Sequence, residues 1–157
     1  MARNGGSRQT KKTGRPMFVV LDTNHFSELL RDTESGARLK RRFTSNKAEV
    51  LTTIITAQEV SEGWSAFIRK QKAGSEKQVH GYEQFQHSLE MLMELTLLPF
   101  DAQAAAIFRE LRKHLPQAGT QDLKIAAIGL AHDATVLTRN LVHFNQVPEL
   151  RVENWLD

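Results

Sequence analysis

The patterning of this chain predicts an α/β domain, with a central, mainly parallel β-sheet flanked by α-helices. Three observations carry that expectation. Short apolar or β-branched runs recur at 17–21, 50–55 and 135–138. Longer stretches with apolar residues three and four apart separate them. Strands that alternate with helical patterns favour parallel crossovers over hairpins.

Met17-Phe18-Val19-Val20-Leu21 is continuously apolar, as in a strand buried on both faces. Asp22-Thr23-Asn24 is a polar helix-start signal, and Phe26, Leu29 and Leu30 follow at helical spacing. A second helix is expected across 34–43. The β-branched run 50–55 reads as the second strand, with a helix starting at Thr56 that buries Ala57, Val60, Trp64 and Phe67. Residues 76–95 form a long helix, lined on one side by Tyr82, Phe85, Leu89, Leu92 and Met93. A short strand at 97–100 ends at Asp101. The next helix carries a stripe of Ala104, Phe108, Leu111 and Leu115, and Pro116 and Gly119 break it. A helix over 120–132 packs Leu123, Ala126, Ala127, Leu130 and Ala131 inward, its alanines allowing close approach to the sheet. Strands are expected at 135–138 and, after Pro148, at 150–154.

At 157 residues the chain suits one domain. Its 40% hydrophobic content is enough for a core, and no apolar run approaches the roughly 18 residues of a membrane span. No signal-peptide h-region is present. The absence of cysteine excludes disulfides and thiolate metal sites and fits a cytoplasmic location. The net charge of +3 is an uneven average. Residues 1–16 hold five of the 21 basic residues and no acid, which leaves 16 bases against 18 acids, a net of −2, for 17–157. Residues 1–16 are therefore expected to be a disordered basic tail able to meet nucleic acid electrostatically, and 17–157 the folded domain.

In open parallel sheets, ligands bind beyond the carboxyl ends of the strands. Asp22 follows the first strand directly, and Asn140 follows the 135–138 strand by two residues. Glu59 and Asp122 fall in the expected first turns of helices, where the dipole favours an ionised carboxylate. Each has a plainer role available. Thr56 to Glu59 matches a capping box, Asp22 an N-cap, Asp122 a dipole partner and Asn140 a turn residue. Taken together, three acids and an amide oxygen on one rim would repel one another without a cation, and hard oxygen donors select Mg²⁺ or Mn²⁺.

These segments resemble the PIN domain family. VVLDTNHFSELL resembles its first strand and turn, TTIITAQEVSEG its second motif, and GTQDLKIAAIGLAHDATVLTRNLVHFNQVPELRVENW its remaining motifs and last strand. The likeness runs in matching order over about residues 17–156 and is closest to VapC-type toxins of bacterial toxin–antitoxin pairs. It implies a PIN-like fold and a metal-dependent endoribonuclease, with Asp22, Glu59 and Asp122 as ligands of Mg²⁺ or Mn²⁺ and Asn140 at the fourth catalytic position. An Asn there keeps an oxygen but loses a charge, which weakens a second metal site and leaves open a non-catalytic module that binds RNA or protein. Thr23, Thr138 and Arg139 are candidate substrate-binding residues, and Arg38, Lys40, Arg41 and Arg42 a second basic patch. The resemblance also implies an RNA substrate, a VapB-type antitoxin and a homodimer. Phe26, Trp64 and Phe67 are candidates for the antitoxin surface, with core packing as the alternative. His143 is read as a packing or capping residue. His80 and His87 lack a third ligand for zinc. No Ser–His–Asp or Cys–His arrangement is present.

Overall fold

The computed structural model describes residues 16–157. The expected basic tail lies outside that range except for Pro16. Five strands, β1 (Met17–Leu21), β2 (Ala48–Thr53), β3 (Thr96–Leu98), β4 (Thr135–Leu137) and β5 (Val152–Glu153), form one parallel sheet in the order β3-β2-β1-β4-β5. Seven helices connect them: α1 (Thr23–Leu29), α2 (Glu34–Ser45), α3 (Ile54–Lys70), α4 (Glu76–Glu94), α5 (Ala102–His114), α6 (Thr120–Ala131) and the single turn α7 (Leu141–Phe144). The strand order reverses between β1 and β4, so a crevice opens beyond their carboxyl ends.

The side-chain alternation of β1 divides the core into two layers. Val20 joins Leu51, Leu123, Ile125 and Ile128 on the α5–α6 face. Val19 and Leu21 join Phe26, Leu39, Val60, Leu92 and Trp155 on the other. α6 sits close against β4, and a Cβ on Gly129 would stand 2.9 Å from Val136 Cγ2. The expected close approach of this helix is therefore present, although Ile125 and Ile128, rather than Leu130 and Ala131, complete its buried side.

Several local expectations need correction. β1 is buried only from Val19 onward, since Phe18 lies at the rim and is exposed. β2 ends at Thr53, and the helix begins at Ile54 rather than Thr56. The Thr53 hydroxyl caps it by accepting from Thr56 N at 3.1 Å. β-branched residues at 54 and 55 extended the strand-like pattern past a real N-cap. On α4 the buried residues are Gly81, Ser88 and Leu92, whereas Tyr82, Leu89 and Met93 face outward. Small residues mark the packed face because α3 and α4 touch closely: a Cβ on Gly81 would meet Phe67 and Ile68 at 2.9 Å. β5 shrinks to Val152–Glu153, and α7 lies in the stretch before it. No helix among the described residues is long and apolar enough to cross a membrane.

Candidate functional site

The site starts where β1 ends. Asp22 caps α1: its Oδ1 accepts from Thr23 N at 2.6 Å, and its own backbone N–H donates to Leu137 O at 3.0 Å, tying it to β4. The other carboxylate oxygen, Oδ2, accepts from the Thr138 hydroxyl at 2.8 Å. Thr138 is fully buried, and its oxygen in turn accepts from Asn140 N at 3.0 Å. Both bonds fix the direction of the hydroxyl proton, so the end of β4 orients the carboxylate that ends β1. Thr52 and Thr56 donate to Leu21 O at 3.0 and 3.5 Å, which satisfies the buried carbonyl just before Asp22.

Glu59 approaches from α3. Because that helix starts at Ile54, Glu59 lies in its second turn and is free of the capping-box role. Its Oε2 accepts from the Thr23 hydroxyl at 3.4 Å. Asp122 approaches from the first turn of α6, where its Oδ2 accepts from Asn140 Nδ2 at 3.2 Å. The Asn140 amide also lies 2.8 Å from His143 Nδ1. Nδ1 accepts this bond in the tautomer that carries its proton on Nε2. His143 Nδ1 is itself 3.6 Å from Asp122 Oδ2, which places this exposed ring at the site and not only in packing. Its signal in the sequence was its spacing of three from Asn140, one helical turn.

The acids act on one another. Burial raises the Asp22 pKa above its ordinary value; the hydrogen bonds from Thr138 and Thr23 oppose this, and repulsion from Asp122 adds to it. Burial likewise raises that of Glu59, reinforced by the charges of Asp22, Asp122 and Glu62 and opposed by the Thr23 hydrogen bond. At Glu59 the expected dipole preference for the ionised form is thus opposed by burial and by the neighbouring acids. Among the described residues no three His, Asp or Glu side chains are gathered closely enough to enclose an ion by themselves. The charge repulsion and the oxygen-only acids fit a hard divalent cation.

The remaining candidates divide. Thr23 and Thr138 hydrogen-bond the acids themselves. The guanidinium of Arg139 pairs with Glu28 at 3.9 Å and Asp157 at 3.5 Å. Arg41 pairs with Glu34, and Arg42 stacks over the Trp155 ring at 4.8 Å, so both have structural partners. Phe26 is fully buried, while Trp64 and Phe67 are half-buried and line a groove of about 360 Å³ that begins at Thr23 and Glu59 and reaches Gln84 and Ser88. Arg112 was not foreseen. It donates to the carbonyls of Leu115, Pro116 and Ala118 at 3.4, 3.2 and 2.6 Å and to Thr120 Oγ1 at 2.8 Å. It thereby fixes the loop that launches α6 and positions Asp122.

A parallel sheet with its strand-order reversal ringed by mutually repelling carboxylates defines a class of α/β domain whose chemistry is built on acidic side chains at one rim. The PIN domain model matches residues 19–150, and the chain belongs to that family, in its VapC-type branch. Ribonuclease VapC5 of Mycobacterium tuberculosis is 30% identical over 133 residues, which are 80% of this chain and 84% of that protein. Ribonuclease VapC2 of Rickettsia felis is 37% identical over 78 residues, but these span 46% of this chain and only 58% of that relative. Among solved structures, VapBC2 from Rickettsia felis bound to a promoter DNA fragment superposes with a TM-score of 0.69 at 28% identity, covering 88% of this chain and 99% of that one. The α/β fold with its five-stranded parallel sheet is thus that of VapBC PIN structures.

Proposed function

We propose that this chain is a metal-dependent endoribonuclease toxin that hydrolyses RNA phosphodiester bonds at the Asp22–Glu59–Asp122 rim. The observation that carries the reading is that Asp22, Glu59 and Asp122, from β1, α3 and α6, lie near enough to act on one another's charge: Asp122 weakens the acidity of Asp22, and both weaken that of Glu59, with burial the larger cause in each case. Asp22, Glu59 and Asp122 are the residues that would hold Mg²⁺ or Mn²⁺. When bound, the ion supplies Lewis acidity to a phosphate oxygen and makes water a stronger acid. Thr138 and Thr23 hold the carboxylates in place. Glu59, half-buried with a raised pKa, is the better placed of the acids to accept a proton from attacking water. The Asn140 amide hydrogen offsets the Asp122 charge where an Asp would add to it.

The proposal includes a VapB-type antitoxin, a homodimer and a cytoplasmic location. VapBC2 of Rickettsia felis is solved bound to a fragment of promoter DNA, and in this chain the groove lined by Trp64 and Phe67 offers an extended partner segment an apolar seat leading toward Glu59. Incubation of the purified chain with total RNA and Mg²⁺ or Mn²⁺ tests the enzymatic reading. Metal-dependent cleavage that disappears in Asp22→Asn supports it. Equal cleavage by both proteins, or none by either, rejects it.

A further inference from the structure

Beside Asp122, whose carboxylate lies against Gly119, is a second recess of about 290 Å³, between the 115–119 loop and α7. His114, Leu115, Pro116, Gln117, His143 and Gln146 line it. We propose that this recess is a subsite for one unpaired RNA nucleobase next to the scissile phosphate, an inference that rests on the ribonuclease reading above. Its chemistry suits a base better than a phosphate. No lysine, arginine or carboxylate is among the lining residues: the Arg112 guanidinium is engaged by the loop carbonyls behind one wall, and the Asp122 carboxylate borders the recess only at its edge. Leu115 and Pro116 supply an apolar wall, and His114 and His143 supply rings of the kind on which single-stranded bases stack. Gln117 and Gln146 each carry both donors and an acceptor, the complement needed to read a base edge. The volume sits at the small end of ligand pockets, roughly 300 Å³ and upward, which suits one base rather than a larger group.

Two contacts connect the recess to the chemistry. His143 belongs to both, since its Nδ1 lies 2.8 Å from Asn140 Nδ2 and 3.6 Å from Asp122 Oδ2. A base against this ring therefore leaves its own phosphate beside the acidic rim. The opposite wall is held by Arg112, whose bonds to three loop carbonyls and Thr120 fix its shape before substrate arrives. That rigidity favours selection among bases over adaptation to all of them.

The test is cleavage-site mapping on a degenerate RNA pool with the full chain and with Gln117→Ala and Gln146→Ala. The expected result is a base preference at one position flanking the cut that either variant weakens about three- to tenfold, the worth of one hydrogen bond, with other positions unchanged. As a readout independent of cleavage, the histidine signals of the Asp22→Asn chain are followed by NMR during titration with AMP, CMP, GMP and UMP. Shifts at His143 and His114 that differ among the four support the subsite even if no RNA is cut, in which case only the ribonuclease reading fails. Unchanged preference in both variants without such shifts overturns the subsite. So does a loss confined to affinity for a protein partner.

Discussion

The Thr138 hydroxyl donates a 2.8 Å hydrogen bond to Asp22 across 116 residues of sequence, and it does so from full burial. A threonine at the end of one strand thus sets the angle and the acidity of the carboxylate that ends its neighbour. Thr138→Val keeps the shape of the side chain and removes the bond. Cleavage should fall about 10- to 100-fold, the usual cost of losing the partner that orients a ligand. Because this bond lowers the Asp22 pKa, its loss should also move the acid limb of the pH–rate profile upward. A structural defect alone would lower the rate without moving that limb.

The clustered acids should cost stability in the absence of metal. Burial raises Asp22 and Glu59 above their ordinary values of 3.8 and 4.5. As pH rises from those values through the folded-state pKa, the folded chain holds more protons than the unfolded one, so stability declines. Asp22→Asn and Glu59→Gln should therefore raise the metal-free melting temperature at pH 7, and the gain should vanish toward pH 4. Asp22 should give the larger gain, because Glu59 is partly solvated. Thermal melts across that range measure it.

His25 has the opposite sign. It is fully buried, its Nε2 accepts from Trp155 N at 3.1 Å, and its Nδ1 has no partner. Burial first, then the positive charge of Arg139, lowers its pKa to about 4 from 6.5, with Asp157 opposing and Arg42 adding. The unfolded chain therefore binds this proton first as pH falls. Stability present above pH 6.5 should be lost down to about pH 4, by roughly 2–4 kcal/mol. His25→Gln, which retains an acceptor for Trp155 N, should flatten this part of the pH–stability curve.

Arg112 gives a test of the loop. Its planar fork reaches three carbonyls and a hydroxyl at once, which a lysine ammonium does not reproduce. Arg112→Lys should destabilise the chain by about 1–2 kcal/mol and lower cleavage by releasing Asp122, with the Asp22 side of the rim unchanged. Chemical denaturation and single-turnover rates check the two effects separately.

Much of this was legible in the chain. The run 17–21 followed by Asp22, and 135–138 ending in Thr138 and followed by Asn140, gave both edges of the crevice because parallel strands place their ends on one rim. The start of α3 was misplaced because Ile54 and Ile55 satisfy a strand pattern, and only the Thr53 cap distinguishes the two. The α4 stripe was misread because its contact face is made of Gly81 and Ser88, which carry no hydrophobic signal. Arg112 and His25 left no local trace, since their partners are backbone groups brought near by folding. Arg139 lies next to the site in sequence, yet its side chain turns to Glu28 and Asp157.

The most direct measurement is calorimetric titration of the metal-free chain with Mn²⁺ at neutral pH. Saturable binding by the unmodified chain, abolished in Asp22→Asn and weakened in Glu59→Gln and Asp122→Asn, is the predicted result. Equal Mn²⁺ affinity in the unmodified chain and a folded Asp22→Asn variant would contradict a cation shared at this rim.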